Sequence, residues 1–229
     1  MEVTVGVIGL GYVGMPLVLN LCNAQISVIG FDIDLNKVNT LNNGLSHIQH
    51  IQSEQVAKII DQGFKATVDF SHIAKTDYII ICVPTPLTDH REPDLSYILN
   101  TMTSITPYLK RNQTLILEST TYPGTTEELL CPIIEKAKFQ VGKDFFIVYS
   151  PEREDPGNDE FSANSIPKVI SGISPACLKR GVDLYQKIID QVVPVSSTRC
   201  AEFVKLLENT HRAVNIGLVN ELKILADHM

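Results

Sequence analysis

Short apolar segments alternate with amphipathic segments along the first 150 residues. The apolar segments are rich in β-branched residues, which is typical of strands buried on both faces of a parallel sheet. They predict strands at 3–8, 26–31, 78–83, 114–117 and 145–149. The spacing of apolar positions between them predicts helices at 12–21, 35–41, 53–61, 94 or 96 to 109, and 125–138. Ser53 is the expected N-cap of the third helix. This alternation indicates an α/β fold with a doubly wound, mostly parallel sheet.

The pattern changes after residue 150. Residues 150–167 are polar and without periodicity, as in a functional loop or a domain boundary. A strand at 168–172, a helix at 175–190 and a strand at 192–195 are expected next. Apolar positions then recur at three- and four-residue steps from Thr198 to His228, which predicts one long helix. We therefore divide the chain into a sheet domain, residues 1–196, and a long connecting helix, residues 197–229.

Composition narrows the class of protein. The 229 residues include 19 Lys plus Arg and 26 Asp plus Glu, a formal net charge of −7, which argues against nucleic-acid binding by bulk charge. No apolar run approaches the roughly 18 residues that a membrane-spanning helix needs, and the start does not read as a secretory signal. The five cysteines lack metal or disulfide spacing. We expect a cytoplasmic protein with reduced thiols and no metal, membrane or nucleic-acid partner.

A glycine-rich turn follows the first predicted strand and opens the first predicted helix. Its sequence is Gly9-Leu-Gly-Tyr-Val-Gly14. The first glycine permits a tight turn, the second lets a pyrophosphate approach the backbone, and the third lets the helix and strand pack closely. The helix N-terminus adds free N–H groups and a positive dipole end. The pattern predicts a dinucleotide site lined by Gly9, Gly11, Tyr12, Val13 and Gly14.

Asp32 gives this turn the context of a nucleotide-binding domain. It stands at the end of the second predicted strand, 18 residues after Gly14. A carboxylate there accepts hydrogen bonds from both ribose hydroxyls of NAD and repels the 2′-phosphate of NADP. Asp34 is instead expected to cap the next helix. The cofactor is therefore predicted to be NAD, bound by a Rossmann-type domain.

Three further motifs lie just beyond the carboxyl ends of predicted strands, where ligands bind in doubly wound sheets. They are Val83-Pro-Thr-Pro86, Glu118-Ser-Thr-Thr121 with a Pro-Gly-Thr-Thr turn after it, and Ser150-Pro-Glu-Arg153. One such motif alone would be read as a strand end and a helix cap, but three in succession indicate a site. On the long helix, Lys205 and Asn209 are four residues apart and so share a face.

In these motifs the chain resembles the nucleotide-sugar 6-dehydrogenases, which oxidise UDP-glucose and related sugars to uronic acids. The resemblance runs from the glycine turn through VPTP, STTYPGTT and SPER to Lys205-Leu-Leu-Glu-Asn209, essentially the whole chain. Residues 44–51 and 150–158 look most like the UDP-N-acetylglucosamine 6-dehydrogenase branch, which makes precursors of bacterial surface polysaccharide. The resemblance implies NAD-dependent oxidation of the C6 hydroxyl of a UDP-N-acetylhexosamine, and a homodimer formed through the long helix.

The resemblance also implies roles for single residues. For the cofactor, Lys37 joins Asp32 near the ribose, and the other positions implied along the dinucleotide are Val83, Pro84, Thr85, Ser119 and Thr120. Thr120 also helps to hold the attacking water.

On the substrate side, Glu152 matches a glutamate implicated as acid/base in hydrolysing a thioester. Lys205 and Asn209 match a pair that stabilises negative charge on the C6 oxygen. Arg153 replaces the bulky apolar residue of UDP-glucose enzymes, which favours an N-acetylated sugar.

One part of the family mechanism is missing from these 229 residues. The nucleophilic cysteine of a GGSC-type loop, a nearby aspartate and the UDP-binding domain follow the long helix in the family. None of the five cysteines here has that context, so we expect this chain alone to be inactive. Three alternatives stay open: a UDP-glucose 6-dehydrogenase, a two-electron 6-phosphogluconate-like or β-hydroxyacid dehydrogenase, and a truncated NAD-binding interaction module.

Overall fold

A computed structural model describes residues 3–152 and 166–229. Within these residues, one sheet contains eight strands in the order β3-β2-β1-β4-β5-β6-β7-β8. The strands are β1 (Thr4–Ile8), β2 (Ser27–Phe31), β3 (Lys65–Thr67), β4 (Tyr78–Ile81), β5 (Thr114–Leu117), β6 (Phe146–Tyr149), β7 (Lys168–Gly172) and β8 (Val192–Pro194). Neighbours are parallel except β6 and β7, which are antiparallel. The α/β fold with a mostly parallel, doubly wound sheet is thus confirmed.

Seven α-helices are present in the described residues. They are α1 (Gly14–Asn23), α2 (Leu35–Asn42), α3 (Ser53–Asp61), α4 (Ser96–Ile105), α5 (Cys131–Lys136), α6 (Pro175–Tyr185) and α7 (Thr198–His228). The described residues also contain two 3₁₀ segments, Phe70–Lys75 and Thr106–Tyr108, and one π-helical turn, Thr126–Leu130.

Prolines explain two helices that differ from the prediction. The helix expected to reach residue 109 is α-helical only to Ile105 and ends in a 3₁₀ turn that contains Pro107. The helix expected from residue 125 starts as a π-helical turn, with Pro132 at the point where α5 takes over. A proline ring clashes with the carbonyl four residues earlier and has no N–H to donate, so the regular ladder is interrupted at both places.

Two other predictions are wrong. Gln52, not Ser53, is the N-cap of α3, and its N–H donates to the Gln55 side chain at 3.0 Å. The Ser53 hydroxyl instead accepts a bond from the Ser46 N–H. The helix expected at 175–190 ends at Tyr185. The sequence pattern also missed β3, because three residues are too few to show a period.

Both faces of the sheet are covered. Val5, Val7, Ile80 and Val148 point to the face that packs on α1, α3 and α6. Alternate residues such as Ile79 point to the opposite face, which packs on α4 and α5. Every residue of β4, β5 and β6 is buried. Because helices occupy both faces, the carboxyl edge of the sheet is the surface left for a ligand.

Helix α7 leaves the sheet after its first turns. Thr198, Ala201 and Glu202 are buried, whereas every residue from Asn209 to the end of the helix is exposed. The exposed residues include large apolar side chains: Val214, Ile216, Leu218, Val219, Leu222, Ile224 and Leu225. The division at residue 196 stays a prediction. In the described part of the chain, no helix has the length and apolarity needed to cross a membrane.

Candidate dinucleotide and sugar site

The glycine turn lies between the carboxyl ends of β1, β2 and β4. Gly9 has a φ of +93°, and a Cβ there would lie 2.7 Å from the Cys82 carbonyl oxygen. Its N–H donates to the Phe31 carbonyl at 2.8 Å. Only glycine meets both demands, a positive φ and close backbone contact with the residue after β4. The turn is therefore held at the carboxyl edge.

The other two glycines of the turn differ in what surrounds them: Gly14 packs against backbone, and Gly11 faces open space. A Cβ on Gly14 would lie 1.9 Å from the Gly9 carbonyl oxygen, so this glycine lets α1 start directly against the turn. A Cβ on Gly11 would meet no atom of the described residues within 4 Å. Val13 at the N-cap gives the first amides of α1 no side-chain partner. Open space in front of an uncapped helix N-terminus fits the pyrophosphate of a dinucleotide.

Asp32 is fixed beside this turn at the end of β2. It is 6% exposed, and its two carboxylate oxygens each accept a backbone bond of 3.0 Å, from the Leu10 N–H and the Asp34 N–H. Lys37 Nζ lies 3.7 Å from Asp32 Oδ2. The carboxylate is thus oriented next to the turn, with a half-exposed cation beside it. The capping role predicted for Asp34 is confirmed, since it accepts bonds from the Asn36 and Lys37 N–H groups.

The segment after α2 lies against the glycine turn, which sequence reasoning missed. His47 Nε2 is 2.8 Å from the Leu10 carbonyl oxygen. The rings of His50 and Tyr12 stack with their centroids 5.7 Å apart, and Tyr12 is 65% exposed. The two histidines lie in a segment with no periodicity, so only their proximity in the fold connects them with the turn.

Two of the strand-end motifs are joined to each other. The Thr85 hydroxyl donates to the Thr120 carbonyl at 2.7 Å, and the Ser119 hydroxyl donates to the Val83 carbonyl at 2.6 Å. The Cys82 N–H also donates to the Ile8 carbonyl, immediately before the glycine turn. The structure therefore brings the predicted cofactor residues 83–85 and 119–120 to the same edge as the turn.

The substrate residues are placed less completely. Glu152 is half-buried, just beyond β6. On α7, Lys205 is half-buried and Asn209 is exposed. Arg153 lies outside the described residues.

Glu152 borders a buried charge cluster that the sequence analysis did not identify. We use this term for Glu118, Lys168, Tyr185 and Glu152. Lys168 Nζ lies 3.2 Å from Glu118 Oε1 and 3.8 Å from Glu152 Oε2, and the Tyr185 hydroxyl donates to Glu118 Oε1. A lysine at the start of the buried strand β7 was the one available signal, since lysine is rarely buried without a partner.

Burial governs the titration of this cluster. It raises the pKa of Glu118 to about 7, because the charged carboxylate loses its hydration, and the charge of Glu152 adds to the rise. For Lys168, burial lowers the pKa, but the Glu118 and Glu152 carboxylates outweigh it and the net shift is upward. Burial and Glu118 raise the pKa of Tyr185 well above its ordinary value. Lys168 is therefore a fixed cation and Tyr185 a fixed donor.

None of the five cysteines forms a disulfide in the described part of the chain. Cys22, Cys82 and Cys177 are buried, and Cys131 and Cys200 are half-buried. Burial raises the pKa of Cys22 and of Cys131 to about 12. Neither forms the thiolate that a nucleophile requires at neutral pH.

The fold and the glycine turn define a dinucleotide-binding domain of the Rossmann type. The family model described as the NAD binding domain of the UDP-glucose/GDP-mannose dehydrogenase family matches residues 3–189. The chain belongs to this family, and its cofactor is NAD. The resemblance stated from the motifs is thereby confirmed.

Individual relatives agree with this assignment. A UDP-N-acetyl-D-glucosamine 6-dehydrogenase of Pseudomonas aeruginosa is 37% identical over 100% of this chain and 54% of its own length. A UDP-D-ManNAc dehydrogenase structure from Pyrococcus horikoshii has 31% identity and a TM-score of 0.91, covering 97% of this chain and 54% of that one. The chain thus spans about half the length of these relatives.

A 3-hydroxyisobutyrate dehydrogenase structure from Salmonella typhimurium has 16% identity and a TM-score of 0.69, covering 99% of this chain and 68% of that one. At that identity the likeness shows a shared fold alone.

Proposed function

We propose that this chain is the cofactor-binding half of an NAD-dependent UDP-sugar 6-dehydrogenase that oxidises UDP-N-acetylglucosamine to its uronate. The observation that carries the proposal is one sheet edge that holds a dinucleotide turn, two mutually bonded strand-end loops and a half-buried carboxylate, Glu152. Family membership and relatives named for UDP-N-acetylhexosamine substrates support it. The uronate fits a role in polysaccharide precursor synthesis.

Different residues contact different parts of the dinucleotide in this proposal. The N-terminus of α1 and Gly11 receive the pyrophosphate, and Asp32 accepts bonds from the adenosine ribose while Lys37 lies beside it. Residues 83–85 and 119–120 line the nicotinamide half. NAD, when bound, supplies the acceptor for a hydride that leaves C6 of the sugar.

Four residues act on the sugar in this proposal. Lys205 and Asn209 offer an ammonium and an amide donor to a C6 oxygen that gains negative charge. Glu152 exchanges protons as acid/base, with a water that Thr120 helps to hold. The covalent step needs a thiolate, and none of the five cysteines stands in the loop context that the resemblance implies for the nucleophile. Burial also raises the pKa of Cys22 and of Cys131 to about 12, which opposes that role for either of them. We therefore expect the 229-residue chain to bind NAD without oxidising the sugar.

Helix α7 is the surface through which we propose that two chains associate. Its exposed half carries seven large apolar side chains, more than an isolated solvated helix retains. Sedimentation analysis should show a dimer, and charged substitutions at Leu218 and Leu222 should yield monomers.

Asp32→Ala should weaken NAD binding by about 1 to 3 kcal/mol, a 5- to 150-fold rise in Kd, because charge-assisted hydrogen bonds to the ribose are lost. Calorimetric titration measures this. Asp34→Ala is the matched control: it removes the α2 cap at a cost of about 1 kcal/mol in stability and leaves the NAD Kd unchanged. Equal NAD affinity in Asp32→Ala and the parent chain would refute the ribose assignment.

The catalytic proposal is tested in a chimera that joins this chain to the remaining half of the Pseudomonas aeruginosa relative. With NAD and UDP-N-acetylglucosamine, we expect two NADH per sugar. Lys205→Ala in this chain's half should reduce kcat at least about 100-fold, the usual effect of removing one group that stabilises an oxyanion. One NADH per sugar, or full activity in Lys205→Ala, would overturn the proposed chemistry.

A further inference from the structure

The buried charge cluster connects Glu152 to groups that the proposed chemistry does not use. Its members come from four elements: Glu118 follows β5, Glu152 follows β6, Lys168 begins β7 and Tyr185 ends α6. Lys168 stands at the carboxyl edge because β7 runs antiparallel to β6. The side chain of Glu118 is wholly buried, that of Lys168 is 8% exposed, and that of Glu152 is 20% exposed. Glu152 is thus the member that faces the site.

Lys168 contacts Glu118 and Tyr185 on its buried side and Glu152 on the side that faces the site. Its Nζ lies 3.2 Å from Glu118 Oε1 and 4.9 Å from the centre of the Tyr185 ring. The Tyr185 hydroxyl also donates a hydrogen bond to Glu118 Oε1, which holds that carboxyl group in place. On the outer side, Glu152 Oε2 lies 3.8 Å from the ammonium, beyond hydrogen-bonding distance but within ion-pair distance. One ammonium therefore serves two carboxyl groups.

The charges in the cluster do not balance when both carboxyl groups are ionised. Among the described residues, two carboxylates then face one buried cation, and Glu118 Oε2 is buried with no hydrogen-bond partner there. A proton on Glu118 restores neutrality among the Glu118, Glu152 and Lys168 side chains. It also releases the Lys168 charge to act on Glu152 alone.

Two other titratable groups face these residues. Tyr149 on β6 interacts with Glu118, and burial raises its pKa, so it stays neutral. Cys82, just after β4, contributes a thiol near Lys168 and Tyr185. Neither supplies a second cation, so Lys168 is the positive charge that the described neighbours offer to the two carboxyl groups.

We propose that Lys168 is a positioning residue for Glu152, and that Glu118, anchored by Tyr185, sets by its own protonation how strongly Lys168 holds Glu152. The proposal rests on the proposed function only for what Glu152 does to the substrate. The coupling of the two carboxyl groups through one lysine involves only residues of this chain, so it requires neither cofactor nor sugar.

Carbon-13 NMR of the chain labelled at its glutamate carboxyl groups tests the coupling. One resonance, absent from Glu118→Gln, should titrate with a midpoint of about 7. In Glu152→Gln this midpoint should fall by about 0.5 to 1 pH unit, because a negative neighbour is removed. Glu54→Gln, an exposed change on α3, is the matched control and should leave the midpoint in place.

Changes at Lys168 complete the experiment. Lys168→Arg keeps the cation and should hold the Glu118 midpoint near its parent value, whereas Lys168→Met should raise it if that variant folds. Amide spectra report the fold in each case, and Glu152→Gln carries the test if Lys168→Met does not fold. An unchanged Glu118 midpoint in Glu152→Gln, or no glutamate titrating above pH 5.5, would overturn the coupling.

The outcome is separable from that of the proposed function. The titrations contain neither NAD nor a sugar, so a chimera that makes no NADH would refute the proposed reaction and leave the coupling standing. Conversely, an active chimera whose parent chain shows uncoupled carboxyl groups would refute the positioning role of Lys168 and leave the reaction intact.

Discussion

Gly14→Ala is expected to abolish measurable NAD binding, with Kd rising by about 100-fold or more. The added methyl group would lie 1.9 Å from the Gly9 carbonyl oxygen and 3.1 Å from the Gly9 carbonyl carbon. Both are backbone atoms, so α1 must move away from the turn and its N-terminus no longer meets the pyrophosphate. Overpacking of this kind also costs about 3 kcal/mol of stability. Calorimetry and urea unfolding measure the two effects.

Gly11→Ala is the matched variant that separates binding from folding. Its methyl group meets no atom within 4 Å in the part of the chain that the structure describes, so stability should stay within about 0.5 kcal/mol of the parent chain. It nevertheless fills the space assigned to the pyrophosphate, and NAD affinity should fall at least about tenfold. A Gly11→Ala chain that binds NAD as well as the parent would show that the pyrophosphate lies elsewhere.

Glu202→Ala should destabilise the chain by about 3 to 5 kcal/mol, because buried donors lose a charged acceptor. The fully buried Glu202 carboxylate accepts bonds from the Gly124 N–H at 2.6 Å, the Thr126 N–H at 2.8 Å and the Thr126 hydroxyl at 2.6 Å. These bonds fix the first turns of α7 to the Pro-Gly-Thr-Thr turn. The free energy of unfolding in urea measures the loss.

Glu128→Ala tests whether burial of the Glu202 hydrogen bonds causes the loss of stability expected in Glu202→Ala. Glu128 also contributes to the attachment of α7, through Arg199 at 2.7 Å, but its side chain is 60% exposed. An exposed ion pair of this kind is worth under about 1 kcal/mol. If the two variants lose the same stability, buried hydrogen bonding of Glu202 is not what holds the helix.

The sequence predicted well those elements whose pattern is long or strong. Helix α7 was predicted at its observed bounds because apolar positions recur over about 30 residues. β4, β5 and β6 were readable because both faces are buried and every residue is apolar or β-branched. By contrast, β3 has three residues, and the N-cap of α3 depends on a reciprocal contact of Gln52 and Gln55. Neither feature leaves a periodic trace.

Within the site, prediction succeeded where local sequence determines position. The glycine turn, Asp32 and the motifs at 83–85 and 118–120 follow strands directly, so a parallel sheet brings them to one edge. The contacts of Glu202 with residue 124 and of Lys168 with Glu118 join segments 78 and 50 residues apart. Such pairings depend on how strands and helices pack in three dimensions, and a single sequence carries no pattern for them.

Calorimetric titration of the 229-residue chain with NAD and, separately, with NADP tests the cofactor site directly. We expect one NAD per chain and at least about tenfold weaker binding of NADP, because the Asp32 carboxylate repels a 2′-phosphate. NADP bound as tightly as NAD, or no binding of either by a chain shown to be folded, would contradict this expectation.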